Sequence, residues 1–177
     1  MLDISREQEL IDFLNKILSD IGEIKSFLVG RDLHRWTFRY DEDSWNIKVE
    51  INKRENQYTQ YEFKKIEGIQ VQCQTAQSMV TNKLLALSNR WYGRDLYDTH
   101  FFLTQGYVFD EKIIEDRANK SSKELIKHII SEIPKHYTSN NILHQLGAVL
   151  TNKQKARAKA HLVDKTIEQL TLYLETH

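Results

Sequence analysis

Apolar residues near the start of the chain, Leu10, Phe13, Leu14, Ile17, Leu18 and Ile21, recur at the 3.6-residue period of a helix. Ser5, with Gln8 three positions on, fits a capping box, and Gly22 stands where a helix stop belongs. The pattern predicts a helix over Ser5–Asp20. From Phe27 the period changes to two. Trp36, Phe38 and Tyr40 alternate with Arg35, Thr37 and Arg39, and after the polar loop 41–44 Trp45, Ile47, Val49 and Ile51 alternate with Asn46, Lys48, Glu50 and Asn52. This is a hairpin with one apolar and one polar face. A connection of four residues pairs Tyr40 with Trp45 and sets Arg35 opposite Glu50 on the polar face. Two further strands are predicted near 57–66 and 69–74, with Cys73 on the face of Ile69 and Val71 and Glu67-Gly68 between the strands.

After Thr75 the pattern is helical. The spacing predicts helices over 75–91, 94–104, 111–119, 121–133, 139–150 and 153–175. Strands followed by a run of helices define an α+β fold that leads into a C-terminal helical bundle. The break near Tyr107–Asp110 suggests two domains, 1–106 and 107–177.

Composition narrows this picture. The 177 residues carry 25 Lys+Arg against 25 Asp+Glu, so a bulk basic or acidic field is ruled out. Hydrophobic content of 40% with no long apolar run argues against a membrane span, and the aromatic content argues against disorder. A single cysteine excludes a disulfide framework and a cysteine-based zinc site. The charged N-terminal stretch is not a signal peptide, and the expected location is the cytoplasm.

The most informative segment runs from Asn82 to Asp98. Ala76, Val80, Leu84 and Leu87 define an apolar stripe, and Lys83, Arg90 and Arg94 fall inside it if one helix continues through Gly93. A charge on a buried face is costly unless it meets a partner. Either Asp95 or Asp98 pairs with Arg90 or Arg94 as structural support, or the cations face a phosphate. Glu50 is a second candidate, either rigidly held beside a cleft or simply paired across the strands with Arg35.

The strand Ile47-Lys48-Val49-Glu50-Ile51 and the pattern Lys83…Ala86…Arg90…Arg94-Asp95…Asp98 resemble the AbiEii/AbiGii-type nucleotidyltransferase toxins, which belong to the polymerase β-like nucleotidyltransferase superfamily. The stretch Ile142–Gly147 and the segments after it are similar to that family's bundle. The resemblance implies a partial polymerase β-like sheet with flanking helices. It also implies nucleotide transfer from a nucleoside triphosphate to an RNA, such as tRNA, or to a protein, and a cognate antitoxin. Carried over by position, Glu50 is a metal-binding carboxylate, Lys83, Arg90 and Arg94 face the triphosphate, and Asp95 and Asp98 orient them or join the catalytic set. The family's cofactor is Mg²⁺, held by several carboxylates in a two-metal scheme. Glu50 and Lys83 are then expected on one cleft.

Two of the family's motifs have no counterpart. No Gly-Gly occurs, and the only Asp-x-Asp, Asp41-Glu42-Asp43, lies in the hairpin loop. The expectation is a family member that lacks the front of its active site and is inactive alone. Two other readings compete. Arg94 with His100 resembles the ribonuclease motif of HEPN domains, which are all-helical. Lys153, Lys155, Arg157, Lys159 and Lys165 form a basic stretch that suits a non-catalytic RNA- or nucleotide-binding module. The scattered histidines show no metal-ligand spacing, and Cys73 reads as a small buried strand residue.

Overall fold

The structure is a computed structural model that describes residues 4–53, 57–146 and 148–177. The chain divides into two compact units, Met1–Asn56 and Gln57–His177.

The first unit contains α1 (Ile4–Ile21), β1 (Glu23–Val29), β2 (Leu33–Arg39) and β3 (Ile47–Asn52). The strands form an antiparallel sheet in the order β1-β2-β3. In β2 buried and half-buried residues alternate strictly, which places His34, Trp36 and Phe38 on the inner face. The hairpin register is the expected one, with Arg35 opposite Glu50 and Phe38 opposite Ile47. Tyr40 and Trp45 lie beyond the paired strands and are exposed. β1 is a strand that the apolar pattern did not show. Only Ile24 in it is half-buried, and a bulge interrupts its pairing between Ile24 and Ser26.

α1 covers the sheet with Ile11 and Leu18, which bury beside Trp36 and Phe38, while Phe13, Ile17 and Ile21 remain exposed. The capping role expected of Ser5 concerns a side chain outside the described residues. Gly22 lets the chain leave α1 close to the sheet, because a Cβ there would meet the Arg39 carbonyl and the Phe38 ring. Beneath α1, the buried His34 Nε2 lies 2.8 Å from Glu7 Oε1, and Lys53 Nζ reaches the same oxygen at 2.8 Å. These bonds hold the Glu7 carboxyl below its ordinary range, Lys53 first and His34 next, against the opposing effect of desolvation.

The second unit begins with the hairpin β4 (Tyr61–Ile66) and β5 (Ile69–Gln74), turned at Glu67-Gly68, both at positive φ. Cys73, on β5, is half-buried and unbonded to any other cysteine. The helices follow as α2 (Ala76–Arg90), α3 (Gly93–Thr104), α4 (Glu111–Ala118), α5 (Ser122–His136) and α6 (Asn152–Thr176). Their caps were written in the sequence. Thr75, Asp110, Ser121 and Thr151 each accept a backbone N–H of the first turn, and Ser121 with Glu124 and Thr151 with Gln154 complete capping boxes.

One expected helix is absent. The described residues of 139–150 form turns and a bend, despite the helical spacing of Ile142, Leu146 and Leu150. Asn141 accepts the Thr138 N–H and donates to the His136 carbonyl, and Gln145 sits at φ 63°, which no continuing right-handed helix permits. Ile142 and Leu146 still bury, each 2% exposed, while Val149 is exposed. α5, in contrast, runs past the expected stop at Ile133, because Pro134 lies close enough to its C-terminus that only one intrahelical bond is lost.

Helices α2 to α6 share one apolar core that includes Leu84, Leu87, Leu96, Ile114, Ile126, Ile129, Leu162 and Leu170. The division expected between residues 106 and 107 falls inside this unit, between α3 and α4. No helix among the described residues is long and apolar enough to cross a membrane.

Candidate functional site

Lys83, Arg90, Arg94, Asp95 and Asp98 come together around the turn from α2 to α3. They do not lie on one continuous helix. Trp91 adopts the left-handed conformation at φ 52°, its N–H capping Leu87, and Tyr92 then returns to extended backbone as the N-cap of α3. A left-handed tryptophan costs about 1–2 kcal/mol. Its indole is stacked flat on the His136 ring, centroids 4.3 Å apart, and packs against the helical core. The buried Tyr137 hydroxyl donates to the Tyr92 carbonyl at 3.1 Å. Burial, and secondly the charge of Asp95, raise the Tyr137 phenol far above its ordinary range, so it stays a donor.

Gly93 opens α3 and is buried directly against the turns that follow α5. A Cβ there would land on the Ile142 carbonyl oxygen, a backbone atom with no rotamer to yield. Gly93→Ala is therefore expected to destabilise the protein by about 1–3 kcal/mol, measured as a lowered urea midpoint. An unchanged midpoint would show that the 139–150 segment yields freely.

The turn brings Asp95 back beneath α2. Its carboxylate is fully buried and sits in the first turn of α3, where the helix dipole favours an anion. Arg90 grips it through two parallel bonds, Nε to Oδ2 at 2.7 Å and Nη2 to Oδ1 at 2.9 Å. The guanidinium also lies over the Tyr92 ring, 5.2 Å from its centroid. Lys83 Nζ is 2.5 Å from Asp98 Oδ2 and 3.8 Å from Asp95 Oδ1. Two cations and two carboxylates thus form a closed, charge-balanced set. Arg94 stands apart. It is exposed and makes no ion pair among the described residues.

Glu50 lies in the first unit, on β3. Its Oε1 accepts Arg35 Nε at 2.6 Å, the pair that the register requires, and both side chains are about two-fifths exposed. Among the described residues no three His, Cys, Asp or Glu side chains gather closely enough to hold a metal ion. Asp41 accepts the Asp43 N–H within the hairpin loop, which ties that acidic pair to its own turn.

Sequence reasoning found the charged residues of the α2–α3 turn but not its supports. The buried Tyr137 and the His136 ring under Trp91 come from the far end of α5, and no local pattern marks them. Gly93 could have been read as the point of close approach, since a glycine between two strong helical patterns needs a packing reason.

The family model for the nucleotidyl transferase AbiEii toxin, of a type IV toxin–antitoxin system, matches residues 3–170. The chain belongs to the AbiEii nucleotidyltransferase toxin family. Nucleotide chemistry and an antitoxin counterpart are the setting in which its site is to be understood. No curated protein and no solved structure matches the chain.

Proposed function

We propose that this chain serves nucleotidyl transfer from a nucleoside triphosphate to an RNA or protein acceptor in the cytoplasm, under the control of a cognate antitoxin. Lys83, Arg90 and Arg94 face the triphosphate, Asp95 and Asp98 orient the cations, and Glu50 is the carboxylate assigned to the metal. The observation that carries this reading is the buried Asp95 carboxylate, which locks the Arg90 fork and shares Lys83 with Asp98. Such a set holds cationic groups in fixed positions, which is what phosphate recognition requires. Arg94 adds a charge that nothing in the set neutralises.

Mg²⁺ is the metal that the family chemistry calls for, and the described residues do not fit it unaided. Glu50 is held by Arg35 and has no second carboxylate beside it in a metal-binding group. We therefore propose that the chain alone binds triphosphates weakly and does not turn them over. The experiment is incubation with each labelled triphosphate, Mg²⁺ and total tRNA. The expected result is measurable binding, weakened about tenfold by Lys83→Ala combined with Arg94→Ala, with no labelled RNA or protein and no pyrophosphate. Absence of binding would overturn the phosphate-facing assignment. Turnover lost in Glu50→Ala would show a complete site. RNA cleavage lost in His100→Ala but not in Glu50→Ala would favour the ribonuclease-like alternative.

A further inference from the structure

The basic stretch of α6 is not one surface. Gln154, Arg157, His161 and Lys165 line a groove between α6 and α3 with a volume of about 680 Å³, whereas Lys153, Lys155 and Lys159 are not part of its lining. The other wall comes from Tyr97, His100, Phe101 and Thr104 of α3. At ~100° per residue this wall is rotated by about 140° from the Asp95/Asp98 side of the same helix, so the groove is separate from the α2–α3 turn.

Its chemistry is one-sided. No carboxylate lines it, and Arg157 has no ion pair among the described residues. Lys165 Nζ bonds Glu168 Oε2 at 2.6 Å, but both side chains are more than half exposed, so an entering anion can compete for the lysine. His100 supplies a directed donor. Its Nδ1 is buried without a hydrogen-bond partner, so placing the proton there would strand a buried donor. The proton is therefore assigned to Nε2, the ring nitrogen that is not among the buried unpartnered atoms. Burial first, then the charges of Arg157 and Lys165, hold this imidazole below its ordinary range, which places both cations within electrostatic reach of it. Tyr97 and Phe101, one helical turn apart, add an aromatic wall, and Phe101 is half exposed.

We infer that the groove between α3 and α6 binds an organic phosphate of nucleotide size, its phosphate between Arg157 and Lys165 and hydrogen-bonded by His100, its ring against Tyr97 and Phe101. The volume suits a ligand of that size. A bound phosphate would accept the proton of His100 Nε2, and an aromatic ring would cover the apolar wall. This inference does not rest on the catalytic reading, because it uses none of the residues of the α2–α3 turn.

The test uses the full chain, titrated with AMP, UMP, inorganic phosphate, adenosine and a short single-stranded RNA, followed by calorimetry and by the histidine ring resonances. The expected result is that a nucleoside monophosphate shifts the His100 and His161 rings and leaves His34 unmoved. Inorganic phosphate and adenosine should each bind at least tenfold more weakly. Arg157→Gln with Lys165→Gln should reduce affinity at least tenfold without lowering the melting temperature, while Lys159→Gln, on α6 but outside the groove lining, should leave affinity unchanged. The inference is overturned if nucleotides at millimolar concentration leave His100 unshifted, or if the double variant binds as well as the parent. It is equally overturned if Lys159→Gln weakens binding as much as the double variant, or if only the RNA binds, which would make the groove part of a backbone-tracking surface.

Discussion

Replacing Asp95 with alanine is expected to remove about 3 kcal/mol of folding stability, read as a lower urea midpoint with an unchanged slope. The carboxylate is completely buried, and its loss leaves the Arg90 fork without either of its two acceptors. Removing one partner of a buried ion pair costs about 3–5 kcal/mol because the other charge is stranded. Here the cost falls at the low end, since the Arg90 side chain is 43% exposed and can turn to water. Asp95→Asn separates charge from shape. It keeps one acceptor for Arg90 but sets an uncharged amide at the start of α3 and beside Lys83, so about half the loss is expected. If alanine and asparagine are both neutral, the set adds no stability, and Asp95 is held in place for its effect on the cations alone.

The charges of this turn were legible in the sequence and their geometry was not. Helical spacing put Lys83, Arg90 and Arg94 on one stripe, which holds only along an unbroken helix. The structure breaks the helix at Trp91, a residue with no intrinsic preference for the left-handed conformation, and the reason lies at a distance, in the His136 ring and the Tyr137 hydroxyl. The alternative that Asp95 or Asp98 pairs with Arg90 or Arg94 holds for Arg90. Arg90 takes Asp95, Asp98 takes Lys83, and Arg94 takes neither.

The sheet shows the same division between local and distant causes. The β2–β3 register followed from alternation and loop length, because a slip of one residue would turn Trp36 and Phe38 out to solvent. β1 escaped notice because most of its residues are exposed on both faces and its bulge interrupts the period. The segment 139–150 failed in the opposite direction. Its apolar spacing is helical and Ile142 and Leu146 do bury, but Asn141 closes local bonds that compete with the helix, and the Ile142 carbonyl lies against Gly93. Periodicity reports which residues are buried more reliably than which backbone delivers them.

Trp36→Ala should have the larger structural effect, unfolding the first unit while leaving the second intact. Trp36 is fully buried on the central strand, stacked on Phe27 with centroids 4.6 Å apart, and its indole N–H donates to Asn15 Oδ1 at 2.8 Å. It thereby joins β1, β2 and α1 through one side chain. Among the described residues the buried apolar core of this unit is Ile11, Leu18, Trp36 and Phe38, with Leu14, Ile24, Val49 and Ile51 packed against it, so little mass is at hand to fill the space that the indole leaves. Truncating a buried tryptophan costs about 3–5 kcal/mol. A unit spanning Met1–Asn56 has a total stability of about 3–8 kcal/mol at ordinary values per residue. The loss therefore rivals the whole. Hydrogen exchange is the discriminating measurement. Amides of β2 and β3 should lose their protection in Trp36→Ala, whereas those in the middle of α5 should keep theirs. Trp36→Phe retains a ring against Phe27 and gives up the bond to Asn15, so a loss of about 1–2 kcal/mol with protection retained is expected. Unchanged β2 protection in the alanine variant would show that Ile11, Leu18 and Phe38 suffice to hold α1 on the sheet. Loss of protection in α5 as well would show that the two units fold as one.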